Sequence, residues 1–246
     1  MKRRNFLTSV AMLAGSRAFA FGATTRLAIA ELDLGPGTIA RPQAWRRLLY
    51  ELGDTTSVEV GTEVFRHGLE DEALFEHPFS VVAGAGAIAP PSEAGVERLA
   101  RYLAYGGVLL VDDTTGGEES PFYLSIRELI GRIYSARPPA PLPVDHSVFR
   151  SFFLISHPVG RVDRFRWLEG VTVGTFSPVL VMRNDLSGAL DRGLDGRDRY
   201  ACVPGGEAQR REAVKLGINV VLYAMTADYK RDMAHVRELM KEGRLE

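Results

Sequence analysis

Residues 92–117, SEAGVERLARYLAYGGVLLVDDTTGG, form the clearest structural unit of the chain. Ser92 is a favourable N-cap residue for a helix. The apolar positions that follow share one helical face, and they are Val96, Leu99, Ala100, Leu103 and Ala104. Gly106-Gly107 favours the end of that helix, and Val108–Val111 is apolar throughout, as in a strand buried on both faces. The unit predicts a helix packed on the centre of a parallel sheet.

Apolar strands and amphipathic helices alternate on both sides of this unit, which predicts an α/β fold. Further strands are predicted at residues 26–30, 57–60, 79–83, 171–175 and 179–182. Further helices are predicted to start near Pro42 and Pro121, to cover residues 213–224, and to end the chain with a charged segment. The Pro-rich residues 136–143 are too short for a domain linker. We therefore expect one domain over residues 21–246.

The first 20 residues have the features of an export signal. Arg3 and Arg4 precede Phe6 and Leu7, the order found in twin-arginine signals; an ordinary secretory signal is the alternative. The uncharged run has 12 residues, whereas a membrane-spanning helix needs about 20. Small residues ending at Ala20 predict cleavage there. We expect a periplasmic protein that has no stable membrane anchor after cleavage.

Composition and charge narrow the classes of partner. The chain has 246 residues, of which 46% are hydrophobic and 25% charged, with a formal net charge of −1. Because the first 20 residues hold four basic side chains and no acidic one, residues 21–246 carry a net charge of −5. That balance argues against a nucleic-acid partner. Cys202 is the single cysteine, so no disulfide forms within the chain.

Polar residues follow two predicted strands, where open parallel sheets bind ligands. The group after Val108–Val111 comprises Asp112, Asp113, Thr114, Gly116 and Gly117, and the group after residues 179–182 comprises Asn184 and Asp185. Neighbouring acids on a strand point to opposite faces, so at most one of Asp112 and Asp113 faces a shared site. Such an aspartate holds a divalent cation, acts as a general base or caps the next helix. The sequence leaves these three roles open.

Asp145 and His146 are a third candidate, because they follow the Pro-rich segment and could approach Asp112 in space. The alternative is a turn-forming aspartate beside a half-buried histidine. Motifs for other chemistry are missing: the sequence has no Gly-x-Ser-x-Gly, no His-x-x-x-His and no phosphate-binding Gly-Lys-Ser/Thr loop. Gly84-Ala85-Gly86 lacks the third glycine of a dinucleotide fingerprint. We expect no cofactor and no metal.

The order of several segments resembles an uncharacterised bacterial family whose members look like class I glutamine amidotransferases in fold. These segments are Leu99–Gly117, Ile126-Arg127, Asp145–Phe149, Arg183–Ser187 and Leu216–Val220. The resemblance covers roughly residues 25–226 and implies a flavodoxin-like three-layer α/β sandwich with a mainly parallel sheet. Related domains occur in larger membrane-anchored proteins encoded near MoxR-type ATPases and von Willebrand factor A proteins. This neighbourhood implies envelope proteins as partners.

The same resemblance argues against amidotransferase chemistry. That superfamily has a nucleophilic cysteine just after a strand, where this chain has Asp112-Asp113-Thr114-Thr115. We therefore expect a non-catalytic module of the bacterial envelope that binds a ligand or a protein. The alternative is a hydrolase of a sugar or envelope component that uses Asp112 or Asp113 with His146 in one polar pocket. A structural subunit with a large exposed apolar patch is a third possibility.

Overall fold

A computed structural model describes residues 26–117 and 120–226, and these residues contain one seven-stranded sheet. The strands are β1 Leu27–Leu32, β2 Val60–His67, β3 Phe79–Gly84, β4 Val108–Asp113, β5 Ala140–Pro141, β6 Glu169–Val173 and β7 Phe176–Met182. Their spatial order is β2-β1-β3-β4-β7-β6-β5. The first five strands in this order run parallel, and β6 and β5 extend the sheet as antiparallel neighbours. The five parallel strands thus follow the flavodoxin-like order.

Helices cover both faces of the sheet. They are α1 Pro42–Thr55, α2 Glu93–Ala104, α3 Pro121–Ile133, α4 Leu186–Leu190 and α5 Gly206–Met225. Helices α1, α4 and α5 share one apolar core with the sheet, and α2 and α3 share the other. The fully buried strand β4 supplies Leu110 to the first core and Val111 to the second, as its unbroken apolar sequence predicts. The α/β prediction is confirmed.

Local sequence signals set the helix starts. Ser92 accepts a hydrogen bond from the Gly95 N–H at 3.0 Å, and Ser120 accepts one from the Tyr123 N–H at 3.2 Å. Both are N-cap bonds that satisfy donors of the first helical turn. Proline stands in the first turn of both α1 and α3, where its missing N–H costs nothing. The cap at Ser92 and both proline starts agree with the predictions from the sequence.

Some predicted boundaries differ from the structure. Strand β2 was predicted at residues 57–60 but begins at Val60 and runs to His67. It is an edge strand whose polar residues face solvent, so it lacks the apolar run of a central strand. Strand β4 continues through Asp112 and Asp113, which pair with Ala83 and Gly84 instead of following the strand. The predicted signal peptide and the charged C-terminal segment lie outside the described residues.

Candidate functional site

Asp112 caps the short helix α4. Its two carboxylate oxygens accept hydrogen bonds from the backbone N–H groups of Leu186 and Ser187, at 2.7 and 2.8 Å. The side chain is fully buried. Of the three roles left open by the sequence, the structure places Asp112 in the capping role, although the helix it caps is 74 residues away along the chain.

Burial and the nearby charge of Asp185 raise the pKa of Asp112 to about 7, against the lowering effect of the hydrogen bonds from Leu186 and Ser187. A raised pKa in a cleft is a common mark of an acid–base catalyst. Here the carboxylate has no exposed surface, and both oxygens are occupied by backbone donors of α4. The raised pKa of Asp112 therefore reflects the free-energy cost of burying a charged carboxylate that caps α4.

Asp113 holds the turn between β4 and α3. Its Oδ1 atom accepts hydrogen bonds from the Thr115 N–H at 3.0 Å, the Thr115 hydroxyl at 2.7 Å and the Ser120 hydroxyl at 3.0 Å. Its Oδ2 atom is buried without a hydrogen bond from the described residues and lies 4.0 Å from the Nε atom of Arg183. The neighbouring Thr114 donates its hydroxyl to the Gly84 carbonyl at 2.9 Å. These polar groups fix the loop that leaves β4.

Asn184 clamps the segment Pro158–Phe165 with four hydrogen bonds. Its Oδ1 atom accepts from the N–H groups of Arg164 at 3.1 Å and Phe165 at 2.9 Å. Its Nδ2 atom donates to the carbonyls of Pro158 at 2.9 Å and Phe165 at 2.7 Å. The side chain is fully buried, and the amide uses its donors and acceptor on backbone groups. Asn184 therefore orders a surface loop from the end of β7.

Asp185 is the N-cap of α4 and the centre of a buried charge cluster. It has a φ of 55°, a left-handed conformation that Asp tolerates better than most residues. Its carboxylate pairs with Arg41 at 3.0 Å and with Arg161, and it caps the Gly188 N–H at 2.8 Å. Burial raises its pKa in spite of the two arginines. The ion pairs of Asp185 therefore connect Arg41, which precedes α1, and Arg161 of the segment Pro158–Phe165 to the start of α4.

Asp145 and His146 do not join these aspartates. The Nε2 atom of His146 lies 3.2 Å from the hydroxyl of Ser177, at the start of β7, whereas Asp112 is paired with Met182 at the end of that strand. Five residues of strand separate the two positions, or roughly 16 Å at 3.3 Å per residue. His146 caps the turn after it through the Val148 N–H. The single polar pocket expected for the hydrolase is therefore not formed.

The crevice beside Gly84-Ala85-Gly86 is filled by the chain itself. The loop after β1 crosses the end of β3: the Ile39 N–H donates to Ala83, and the Gly37 carbonyl accepts from the N–H groups of residues 85 and 86. A Cβ atom at Gly84 would overlap the ring of Phe122 and the Gly37 carbonyl. Glycine is needed at residue 84 for this close approach. This switch point of the sheet is closed.

The sequence predictions missed a stack of arginine and aromatic side chains, which we call the arginine–aromatic ladder. In order, its members are Arg127, Tyr123, Arg183, Phe165 and Trp167. The Arg183 guanidinium lies 3.9 Å from the Tyr123 ring centroid and 4.1 Å from that of Phe165, within the range of a cation–π contact. The sequence signal was the run Arg164-Phe165-Arg166-Trp167, in which arginine alternates with aromatic residues.

Glu169 supports the ladder from the start of β6. Its carboxylate accepts a hydrogen bond from the Tyr123 hydroxyl at 2.6 Å and from the Trp167 Nε1–H at 3.3 Å. Burial and the Glu169 carboxylate together raise the pKa of Tyr123 to about 12, which keeps the phenol protonated as the donor. Two ladder members are thereby held in fixed orientations.

The described residues were also compared with the requirements of a small-molecule cavity, a metal site and a membrane span. A hollow of about 330 Å³ lies between the clamped loop and the first turns of α5; it is lined by Val159, Asp163, Pro204, Gly205, Ala208, Gln209, Arg211 and Glu212. Within residues 26–117 and 120–226, no group of three or more His, Cys, Asp or Glu side chains is placed to hold a metal ion. No helix in the described part of the chain is long and apolar enough to span a membrane.

These observations define an α/β protein with a mostly parallel, helix-flanked sheet whose strand-end polar residues bind the chain's own loops. The chain belongs to the family described as domain of unknown function DUF4159, whose profile matches residues 27–225. That match covers β1 through α5. Comparison with curated proteins gives no significant match.

Proposed function

We propose that this protein is an exported, non-catalytic binding module of the bacterial envelope, built on an amidotransferase-like scaffold. The observation that carries the proposal is the use of the strand-end polar side chains. Asp112 and Asp185 cap α4, Asp113 holds the turn after β4, and Asn184 clamps a loop. Atoms that hold backbone in this way are not free to hold a substrate or move its protons, and the remaining Oδ2 atom of Asp113 is buried.

Two catalytic alternatives fit the geometry less well. The hydrolase needs a carboxylate and His146 within hydrogen-bond reach of one substrate, and they lie at opposite ends of the parallel strands. Amidotransferase chemistry needs an activated thiolate. Cys202 is buried on the loop before α5, and burial raises the pKa of its thiol, which disfavours the thiolate. A binding role needs neither arrangement.

Export through the twin-arginine route is part of this proposal, supported by the order of residues 3–7. We expect substitution of Arg3 and Arg4 by lysine to leave the full-length precursor in the cytoplasm, because that route requires the arginine pair. Cell fractionation of a bacterial host measures the distribution, and N-terminal sequencing of the exported chain should begin at Phe21. A control that replaces Arg17 alone by lysine should still be exported. Unchanged export of the paired variant would contradict the twin-arginine assignment.

A scan by photo-crosslinking tests the binding role. A photoreactive residue is placed singly at Tyr50, Phe152, Trp167 or Val203, four exposed positions distributed over the surface, in intact cells. The proposal expects a discrete crosslinked species at one or more positions and none at the others. The absence of crosslinks at all four positions would overturn it. So would turnover of an envelope substrate by the purified chain that Asp113→Asn abolishes while the fold is retained.

A further inference from the structure

The arginine–aromatic ladder is buried in its middle and exposed at its ends. Arg183 and Phe165 are buried, whereas Arg127 is exposed at one end and 41% of Trp167 is exposed at the other. The Phe165 and Trp167 rings meet edge to face with centroids 5.8 Å apart. The ladder therefore exposes the Arg127 guanidinium at one end and the Trp167 indole ring at the other. Each of them packs on a buried ring, Tyr123 or Phe165.

The clamped loop adds positive charge beside the ladder. Arg164 donates to the Gly116 carbonyl and Arg183 to the adjacent Gly117 carbonyl, so the loop and the ladder meet at the turn after β4. Arg166 and Arg127 are exposed and form no ion pair with any described residue. The one acid of the loop, Asp163, is paired with His157 at 2.5 Å. Arg127, Arg164 and Arg166 are therefore three exposed cations at or beside the ladder, in a chain whose residues 21–246 carry a net charge of −5.

The bonds to Asn184 and Glu169 keep this surface ordered before any partner arrives. The Asn184 amide fixes the backbone of Arg164 and Phe165, and Glu169 holds the Trp167 ring through its Nε1–H. Binding to an ordered surface avoids the entropy cost of immobilising loops and long side chains on association. The hydrogen bonds of Asn184 and Glu169 therefore preorganise this surface for binding.

We propose that the arginine–aromatic ladder and the adjoining Arg164 and Arg166 dock an acidic polypeptide segment of another protein; the inference rests on the binding role proposed above. Arg, Trp and Tyr are the residues most enriched in the energetic centres of protein interfaces. Guanidinium groups bind carboxylates through two parallel hydrogen bonds. The exposed Trp167 ring adds an apolar surface on which the side chains or backbone of the bound segment can pack.

The shape of the surface favours a polypeptide over a small molecule. Small-molecule sites bury most of the ligand in a concave, largely apolar cavity. The ladder instead ends on exposed side chains, and the hollow of about 330 Å³ is lined by none of its five members. Arg166 and Trp167 are adjacent in the chain and both exposed, so an extended acidic segment can contact them without entering a cavity.

Binding of poly-L-glutamate to the purified full chain tests the inference. We expect saturable binding, measured by fluorescence anisotropy of the labelled polymer, and no binding of poly-L-glutamine. Trp167→Ala and Arg166→Glu should each weaken binding by about tenfold or more, as expected for interface centres. Raising the salt concentration should weaken binding in the wild-type chain, because exposed charges are screened. The matched controls are Tyr50→Ala and Arg46→Glu, which change an exposed aromatic ring and an exposed arginine on α1, on the opposite face of the sheet from α3, and should retain wild-type affinity.

Two results would overturn the inference. One is equal affinity for poly-L-glutamate in Trp167→Ala, Arg166→Glu and the controls, or no binding at all. The other is binding of inorganic polyphosphate as tight as that of poly-L-glutamate and lost in the same variants, which would define a general anion site. Crosslinks at Phe152 or Val203 that persist unchanged in the Arg166→Glu chain would also count against the ladder while supporting the proposed binding role. The failure of the inference is thereby separated from the failure of the proposed function.

Discussion

Asn184→Ala is expected to lower the free energy of unfolding by about 3–5 kcal/mol, a large loss for one buried side chain. The substitution removes all four hydrogen bonds of the clamp. It leaves the N–H groups of Arg164 and Phe165 and the carbonyl of Pro158 without these partners. A buried backbone group without a partner costs about 1–3 kcal/mol. The loss should exceed that of an ordinary loop substitution.

Urea unfolding of the purified chain, followed by circular dichroism, measures this effect. Asp145→Asn is the control, because Asp145 is exposed and its carbonyl, not its side chain, accepts a hydrogen bond from Arg150. The control should stay within about 0.5 kcal/mol of the wild-type value. A change below about 1 kcal/mol in Asn184→Ala would show that the clamp does not stabilise the loop.

Asp112→Asn is expected to change how stability depends on pH. Burial raises the pKa of Asp112 to about 7 from an ordinary value of 3.8. Between these two values the folded state binds the proton more tightly than the unfolded state. The stabilising contribution is therefore complete below about pH 4 and is lost as the pH rises toward 7. Asparagine has no such proton, so the variant lacks this slope.

The difference in unfolding free energy between wild type and Asp112→Asn reports this contribution together with the change that the substitution causes in the titration of the neighbouring Asp185. His77, whose pKa is lowered by burial, gives a slope of the opposite sign, but it is present in both chains and cancels. We expect the wild-type advantage to shrink by about 2 kcal/mol or more between pH 5 and pH 8, from 1.36 kcal/mol per unit of pKa shift. Urea unfolding at four pH values measures it. A difference that is constant with pH would contradict the raised pKa.

Local sequence signals predicted much of the fold. Three kinds of signal act within one element and are found where they were predicted: the apolar run Val108–Val111, the N-cap Ser92, and the proline starts of α1 and α3. Strand β2 was misplaced because an edge strand needs no continuous apolar run. Helix α4 was missed because its five residues are too few to show the apolar period of a helix.

The roles of the strand-end residues were not readable from the sequence. Asp112 meets its donors 74 and 75 residues further on, and no local pattern shows that its carboxylate is occupied. The ladder is likewise assembled from α3, the loop before β6 and the end of β7. Their position at the strand ends does not reveal that these side chains bind the chain's own backbone.

Amide hydrogen exchange on the wild-type chain tests most directly whether the strand-end side chains hold backbone. We predict that the N–H groups of Leu186, Ser187 and Phe165 are protected to nearly the same degree as those of strand β4, because each donates to a buried carboxylate or amide oxygen. Exposed turn amides such as that of Gly35 should exchange much faster. Exchange of Leu186, Ser187 and Phe165 at the rate of Gly35 would contradict the account, since Asp112 and Asn184 would then be free for another role.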